Sequence, residues 1–320
     1  MFNKRINKLS TSIKLSNFQL TILGSSGALP AIGRFPTSQY LVIQNRHCLI
    51  DCGEGAQMQL ARFQISPQKI DHIFISHLHG DHYLGLMPLL FSMHLFKRTS
   101  DLHLYSTAGL DELITLQLRL SKSALNYKTI FHPFEAGKIQ TLFEDEAITV
   151  ETIPLIHKLE CAGFLFKEKN KPRKINKEKL VDGIKLQQIA SLKTGADIVD
   201  EEGNVLYKNE DFTLPPRPSF SYAYCSDTAW NEAMISQIAN VDLLYHEATF
   251  VHADLNKAIE TKHSTAQQAA EMAKRASVKK LVIGHFSARY KDLDLLLNEA
   301  KSVFKETELA IEGTIFSLYD

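Results

Sequence analysis

The chain has 320 residues, with 44% hydrophobic and 22% charged, which is ordinary globular composition and excludes disorder or low-complexity repeats as the main theme. Lys plus Arg and Asp plus Glu both number 36, so a uniformly basic nucleic-acid coat is excluded, although a local basic patch is not. Four cysteines are too few for a disulfide scaffold, which fits reduced thiols and a cytoplasmic setting.

Strand and helix alternate along the chain. Met1 to Phe18 is polar and basic without an apolar core, so no secretory signal is expected. Phe18–Leu23 is an apolar, β-branched strand ending in Gly24-Ser25-Ser26-Gly27. Tyr40–Ile43 and Cys48–Ile50 read as two strands, and Gln57–Phe63 as a helix after Asp51-Cys52-Gly53-Glu54-Gly55. Ile70–Ser76 is a buried strand, followed by a His-rich loop and an apolar helix at Gly85–Phe96. That helix region is the most apolar of the chain, yet far short of the roughly 20 residues of a membrane span. Leu102–Tyr105 reads as a strand and Ala108–Leu120 as a helix.

The second half repeats the style. Ile148–Ile153, Phe164–Phe166, Phe220–Cys225, Leu243–Tyr245 and Lys280–Ile283 read as strands. Asn231–Ile238, Thr265–Arg275 and Leu293–Phe304 read as helices, the second capped at Ser264 or Thr265 with Gln267 or Gln268 close to the capping-box position. One closing strand is expected over Glu308–Leu318. Between Phe166 and Phe220 the composition shifts. Lys167 to Lys179 holds seven basic residues and two acids, and Leu180–Leu192 reads as a helix. Such a run is commonly a solvated surface; its sharper meaning is an arm that holds a polyanion.

The decisive text is Ser76-His77-Leu78-His79-Gly80-Asp81-His82. Three imidazoles and a carboxylate follow a buried strand, where loop ligands converge on one point. That donor set suits zinc and related divalent ions. The structural alternative, four polar loop residues at this spacing by chance, is the poorer explanation.

HxHxDH is the signature of the metallo-β-lactamase superfamily, which the chain resembles over nearly its whole length. The resemblance implies a four-layer αβ/βα sandwich, here a single catalytic domain over residues 1–320 with an inserted basic arm at about 167–215. It also implies further ligands from later loops. His157 in Pro-Leu-Ile-His, Asp227 in Cys-Ser-Asp-Thr and His285 in Ile-Gly-His-Phe stand in the expected order. On this reading His77, His79 and His157 hold one ion, Asp81, His82 and His285 the other, and Asp227 bridges them. Two ions about 3.5–4 Å apart activate a shared water and clamp a displacement at phosphorus. Asp81 can also accept the proton of that water.

Two further segments, Tyr245-His246-Glu247-Ala248-Thr249-Phe250 and Lys262-His263-Ser264-Thr265-Ala266, resemble the ribonuclease Z family of tRNA 3′-processing endonucleases. The resemblance implies a proton relay of Glu247 and His263 beside two Zn2+ ions. It implies precursor tRNA as substrate, a homodimer, and an arm gripping the tRNA through Lys169, Lys171, Arg173 and Lys174. The chain departs from the family pattern twice. The arm lacks a Gly-Pro motif at Gly183 to Ser191, and only Pro30 and Arg34 match the PxKxRN-type loop. The alternatives are another phosphodiester or thioester hydrolase of the same fold, and a non-catalytic RNA-binding metalloprotein. Cys48, Cys52 and Cys225 are expected as core fillers, and Trp230 as a packing residue.

Overall fold

The computed structural model describes residues 18–29, 31–181 and 183–318. The expectation for the N-terminal segment, Pro30 of the PxKxRN-type match and Asp182 in the arm therefore lie outside the described residues. Six strands come first: β1 Phe18–Gly24, β2 Ser38–Ile43, β3 Arg46–Cys52, β4 His72–Phe74, β5 Leu102–Ser106 and β6 Thr129–Pro133. Seven more follow: β7 Thr141–Glu144, β8 Ile148–Pro154, β9 Ala162–Glu168, β10 Ser221–Cys225, β11 Leu243–Glu247, β12 Leu281–Gly284 and β13 Thr307–Leu309. The last strand, β14 at Ile315–Ser317, returns to pair with β1.

The strands form two seven-stranded sheets, ordered β14-β1-β2-β3-β4-β5-β6 and β13-β12-β11-β10-β9-β8-β7. Each sheet changes from antiparallel to parallel pairing at its middle strand. In the first the pairs from β14 to β3 are antiparallel and those from β3 to β6 parallel. In the second those from β7 to β10 are antiparallel and those from β10 to β13 parallel. The two halves of the chain thus repeat one plan.

Period-two alternation builds the layers. Phe18, Leu20 and Ile22 of β1, Leu41 and Ile43 of β2, and Cys48 and Ile50 of β3 join Phe164, Phe166, Tyr222, Tyr224 and Tyr245 in the core between the sheets. The intervening Leu23, Tyr40, Val42 and Leu49 face outward under α1 Ala56–Arg62, α2 Gly80–Tyr83, α3 Leu86–Leu95 and α4 Leu110–Leu120. Cys52 joins that outer core, so the two nearby thiols are core fillers in different layers. On the far side of the second sheet, α7 Leu255–Thr261, α8 Ala266–Arg275 and α9 Asp294–Val303 complete the sandwich, with Ala266, Ala269, Ala270 and Ala273 packed over Leu244 and Ile283. No helix among the described residues is long and apolar enough to cross a membrane.

Between β9 and β10 lies a long segment, which contains most of the stretch read as a basic arm. It carries α5 Leu186–Thr194, α6 Asn209–Phe212 and two two-stranded ribbons. Its helix starts later than the apolar pattern predicts, because Gly183 takes φ +93, outside helical space. Two other expectations fail. Asn231–Ile238 is not an α-helix: Asn231 caps Ala233 and is tied to the Pro154 carbonyl, leaving a 3₁₀ turn at Glu232–Met234. Glu308–Leu318 is two strands in different sheets, because a turn through Gly313 (φ +87) carries the chain across the sandwich. Strands β6 and β7 escape sequence reading because they are short edge strands with half-exposed residues.

Candidate metal centre

The parallel strands end at one rim of the sandwich, and the loops leaving them carry the polar residues. After β4 the chain delivers His77 and His79, then Asp81 and His82 in the first turn of α2. The loops after β8, β10 and β12 bring His157, Asp227 and His285. The seven side chains predicted as metal ligands therefore meet in two adjacent groups, His77–His79–His157–Asp227 and Asp81–His82–His285.

Asp227 stands between the groups and is buried. Its Oδ2 lies 3.6 Å from His77 Nε2 and 3.7 Å from His157 Nε2. Its Oδ1 lies 3.4 Å from His82 Nε2 and 3.2 Å from His285 Nε2. His79 contributes Nδ1, 2.9 Å from His77 Nε2 and 3.2 Å from His157 Nε2. Asp81 Oδ2 lies 3.4 Å from His82 Nε2 and 3.3 Å from His285 Nε2.

The hydrogen bonds behind the rings fix which nitrogen is free. His157 Nδ1 faces the Lys262 carbonyl at 3.0 Å and His82 Nδ1 faces Asp51 Oδ2 at 2.8 Å. Both partners only accept, so each Nδ1 carries the hydrogen and each Nε2 presents a lone pair to the cluster. Ser76 spends its hydroxyl hydrogen on Asp51 at 2.9 Å and accepts from His77 Nδ1 at 3.1 Å, which leaves His77 in the same state. Asp51 is itself buried and takes the Tyr224 hydroxyl at 2.5 Å and the Ser76 amide at 2.7 Å. Sequence reading missed this role of Asp51; its only signal was the Asp-Cys-Gly-Glu-Gly run.

Burial, with His82 adding, lowers His77 well below its ordinary value, and burial lowers His157 and His79 in spite of Asp227. These three rings are neutral, the form that binds metals. Burial would raise Asp81 and Asp227, but His82 and His285 reverse this and hold both carboxyls well below the usual range. His82 is pulled the other way: burial opposes its charge, yet Asp227, Asp81 and Asp51 raise it well above its ordinary value. A proton at His82 Nε2 and a metal ion there are alternative ways to neutralise the same carboxylates. His82 Nε2 is buried without a hydrogen-bond partner among the described residues, although carboxylate oxygens stand 3.4 Å away. A buried ring nitrogen without a hydrogen-bond partner, facing two carboxylates, fits a site where a metal ion takes the place of the proton.

Two glycines let the backbone close on the cluster. A Cβ at Gly27 would lie 2.5 Å from His285 Cε1, and one at Gly53 would lie 2.4 Å from the Asp81 carbonyl. The Ala28 amide donates to Asp81 Oδ2 at 2.7 Å.

Beside the cluster, Glu247 ends β11, fully buried. Its Oε1 accepts from His263 Nδ1 at 2.9 Å and from the Ser264 amide at 2.9 Å, and its Oε2 from the Thr249 hydroxyl at 2.7 Å. Burial works against charge on His263, but the ion pair and hydrogen bond with Glu247 prevail and push it up to about 9. His263 Nε2 faces Asp227 Oδ2 at 4.0 Å, and Asp227, His263 and His285 form a third, looser grouping. These residues line a cleft of about 440 Å³ with Glu54, Leu84 and Lys158 at its walls.

The other residues singled out in the sequence lie elsewhere. Cys225 is in the core under α8 and α9, and half-buried Trp230 packs against the same core with Arg275 over its ring. Arg34 donates to the carbonyls of Tyr290 and Ser287. In the insertion Lys169 pairs with Glu144 at 2.6 Å, Lys171 with Glu168 at 2.6 Å, and Arg173 bonds Thr213 at 2.7 Å, while Lys174 is exposed in a two-residue strand.

Solved structures with this architecture define the class first. The chain superposes on human tRNase Z, short form, with TM-score 0.68 and 25% identity, covering 94% of this chain and 100% of that one. It also matches the metallo-β-lactamase fold protein YhfI from Bacillus subtilis at TM-score 0.65 and 20% identity, over 93% of this chain and 99% of that one. The fold is thus the metallo-β-lactamase fold. A family model described as Anti-Pycsar protein Apyc1 matches residues 18–173, under half of the chain. The chain is 46% identical to ribonuclease Z of Bacteroides fragilis over 306 residues, covering 95% of this chain and 100% of that protein. It is 47% identical to ribonuclease Z of Cytophaga hutchinsonii over 304 residues, covering 95% and 97%. The chain belongs to the ribonuclease Z family.

Proposed function

We propose that this protein is a zinc-dependent endoribonuclease that removes the 3′ trailer from precursor tRNA and leaves a 3′-hydroxyl on the tRNA. The observation that carries the reading is the pairing of a bridging carboxylate, Asp227, with a separate acid, His263, across one cleft. His77, His79 and His157 would hold one Zn2+, Asp81, His82 and His285 a second, with Asp227 shared. When bound, the metal pair supplies an activated water and positive charge to the phosphate.

The chain's own residues account for the rest. Asp81, ionised at neutral pH and on the cleft wall, accepts the proton of the attacking water. His263, held as imidazolium by Glu247, presents its Nε2–H to the cleft and protonates the leaving oxygen. His263 Nε2 stands 4.0 Å from Asp227, farther than His77, His82, His157 or His285, and its other nitrogen is committed to Glu247, which favours the acid role over the third grouping. A closed structural site, as an RNA-binding metalloprotein needs, fits poorly with an open cleft of about 440 Å³.

The insertion supplies an arm for the tRNA, with Lys169, Lys171, Arg173 and Lys174 as phosphate contacts that position rather than specify. Exposed Met58 of α1 and Leu95 and Phe96 at the end of α3 supply an apolar surface for a homodimer. The protein acts in the cytoplasm, where precursor tRNA is processed and buried thiols stay reduced. Turnover of a precursor tRNA in added zinc, lost on chelation, tests the reading; stoichiometric binding without turnover contradicts it.

A further inference from the structure

Thr249 is placed between the two halves of the site. Its side chain is buried, and its hydroxyl lies 2.7 Å from Glu247 Oε2, 2.9 Å from His285 Nδ1 and 3.3 Å from His263 Nδ1. A hydroxyl has one hydrogen to give. The carboxylate oxygen only accepts and is nearest, so the hydrogen goes to Glu247. His263 Nδ1 already donates to Glu247 Oε1 at the shorter distance of 2.9 Å. The free lone pair of Thr249 therefore accepts the Nδ1–H of His285.

That bond decides what His285 can do. With Nδ1 protonated, Nε2 offers a lone pair 3.2 Å from Asp227 Oδ1 and 3.3 Å from Asp81 Oδ2. Without it, the ring is free to carry its hydrogen on Nε2 and donate to either carboxylate, which removes it as a ligand. Among the described residues Thr249 is the hydrogen-bond partner of His285 Nδ1; the carboxylates face Nε2, and Gly27 against the ring supplies clearance. His285 also sits at φ +59, a conformation that must be held by its surroundings.

The geometry points to Thr249 as a positioning residue that sets the tautomer of His285, and so ties one metal position to the Glu247–His263 acid. This inference rests on the metal reading above. Its direct consequence is that Thr249→Val, which keeps the shape and removes the hydroxyl, weakens one of the two metal positions and spares the other. Loss of such an outer partner typically costs about 10–100-fold in metal affinity.

The test is zinc binding by competition with a chromophoric chelator, on wild type, Thr249→Val and Thr249→Ser, with unfolding of each metal-free protein followed in parallel. The expected result is two zinc ions in wild type and in Thr249→Ser. In Thr249→Val one ion should be weakened about 10–100-fold and the other unchanged, with metal-free stability close to that of Thr249→Ser. Equal binding in wild type and Thr249→Val overturns the inference and leaves the metal reading intact. A Thr249→Ser protein as defective as Thr249→Val also overturns it, because packing and not the hydroxyl would then matter. Wild type that binds no zinc overturns the metal reading and this inference together.

Discussion

His263 Nδ1 lies 2.9 Å from Glu247 Oε1, and its opposite nitrogen faces the Asp227 carboxylate at 4.0 Å. The ring thus joins a buried carboxylate, which has no exposure of its own, to the polar cluster that opens on the cleft. On the proposed reading this ring is the acid that protonates the leaving oxygen.

His263→Ala should lower kcat on precursor tRNA by about 10²–10⁴-fold while the zinc content stays near that of wild type. Glu247→Ala should give a similar loss, and the double mutant little more, since groups that act as a unit are not additive. A diester with a nitrophenolate leaving group needs little protonation and should suffer much less. Equal losses on both substrates, with metals intact, would assign His263 a structural role.

The same pair predicts a titration. In the metal-free protein the imidazole of His263 should titrate near pH 9 by NMR, and Glu247→Gln should move the midpoint down. Its folded value is raised above the roughly 6.5 of an unfolded chain. The associated stabilisation is therefore complete below about pH 6.5 and is lost as pH rises through about 9. Added zinc should lower the midpoint, because neighbouring cations disfavour the imidazolium. A midpoint near 6.5, indifferent to Glu247→Gln, would contradict the ion pair.

Asp227→Ala removes both oxygens that link the two groups of ligands. Metal analysis should find fewer ions per chain than in wild type, with activity on precursor tRNA lost. Two tightly held ions in the variant would refute the bridging role.

The sequence was most informative where the chemistry is contiguous. His77, His79, Asp81 and His82 fall within one loop and turn, and His157, Asp227 and His285 each follow a strand that its apolar residues mark out. The order of strands and helices was legible as a mixed α/β chain, whereas the four-layer sandwich came from the resemblance that the HxHxDH run carries. What sequence reading missed depends on contacts between residues far apart in the sequence. Asp51 reaches His82 over 31 positions, and Thr249 reaches His285 over 36. Gly27 is needed only because the His285 ring packs against it. The single closing strand was misread because Thr307–Leu309 and Ile315–Ser317 lie only a short turn apart in sequence, and that turn, through Gly313, sends them to different sheets.

The insertion yields a more graded expectation. Replacing Lys169, Lys171, Arg173 and Lys174 together should weaken precursor tRNA binding and spare a small diester. Lys169 and Lys171 already have carboxylate partners, so the salt slope should flatten by less than the roughly one unit expected per freely released contact. Binding at several salt concentrations checks this. Equal losses on tRNA and on the small diester would contradict an arm that grips the polyanion.

The central claim is that the Asp227-linked cluster and the His263 acid together cut a phosphodiester at the 3′ end of a tRNA. The most direct measurement is mapping both product ends of a defined precursor tRNA, with zinc and with a chelator. The account predicts one cut at the junction of tRNA and trailer, a 3′-hydroxyl on the tRNA, a 5′-phosphate on the trailer, and no cut in the chelator. A 2′,3′-cyclic phosphate on the tRNA, or cleavage that survives complete metal removal, would contradict it.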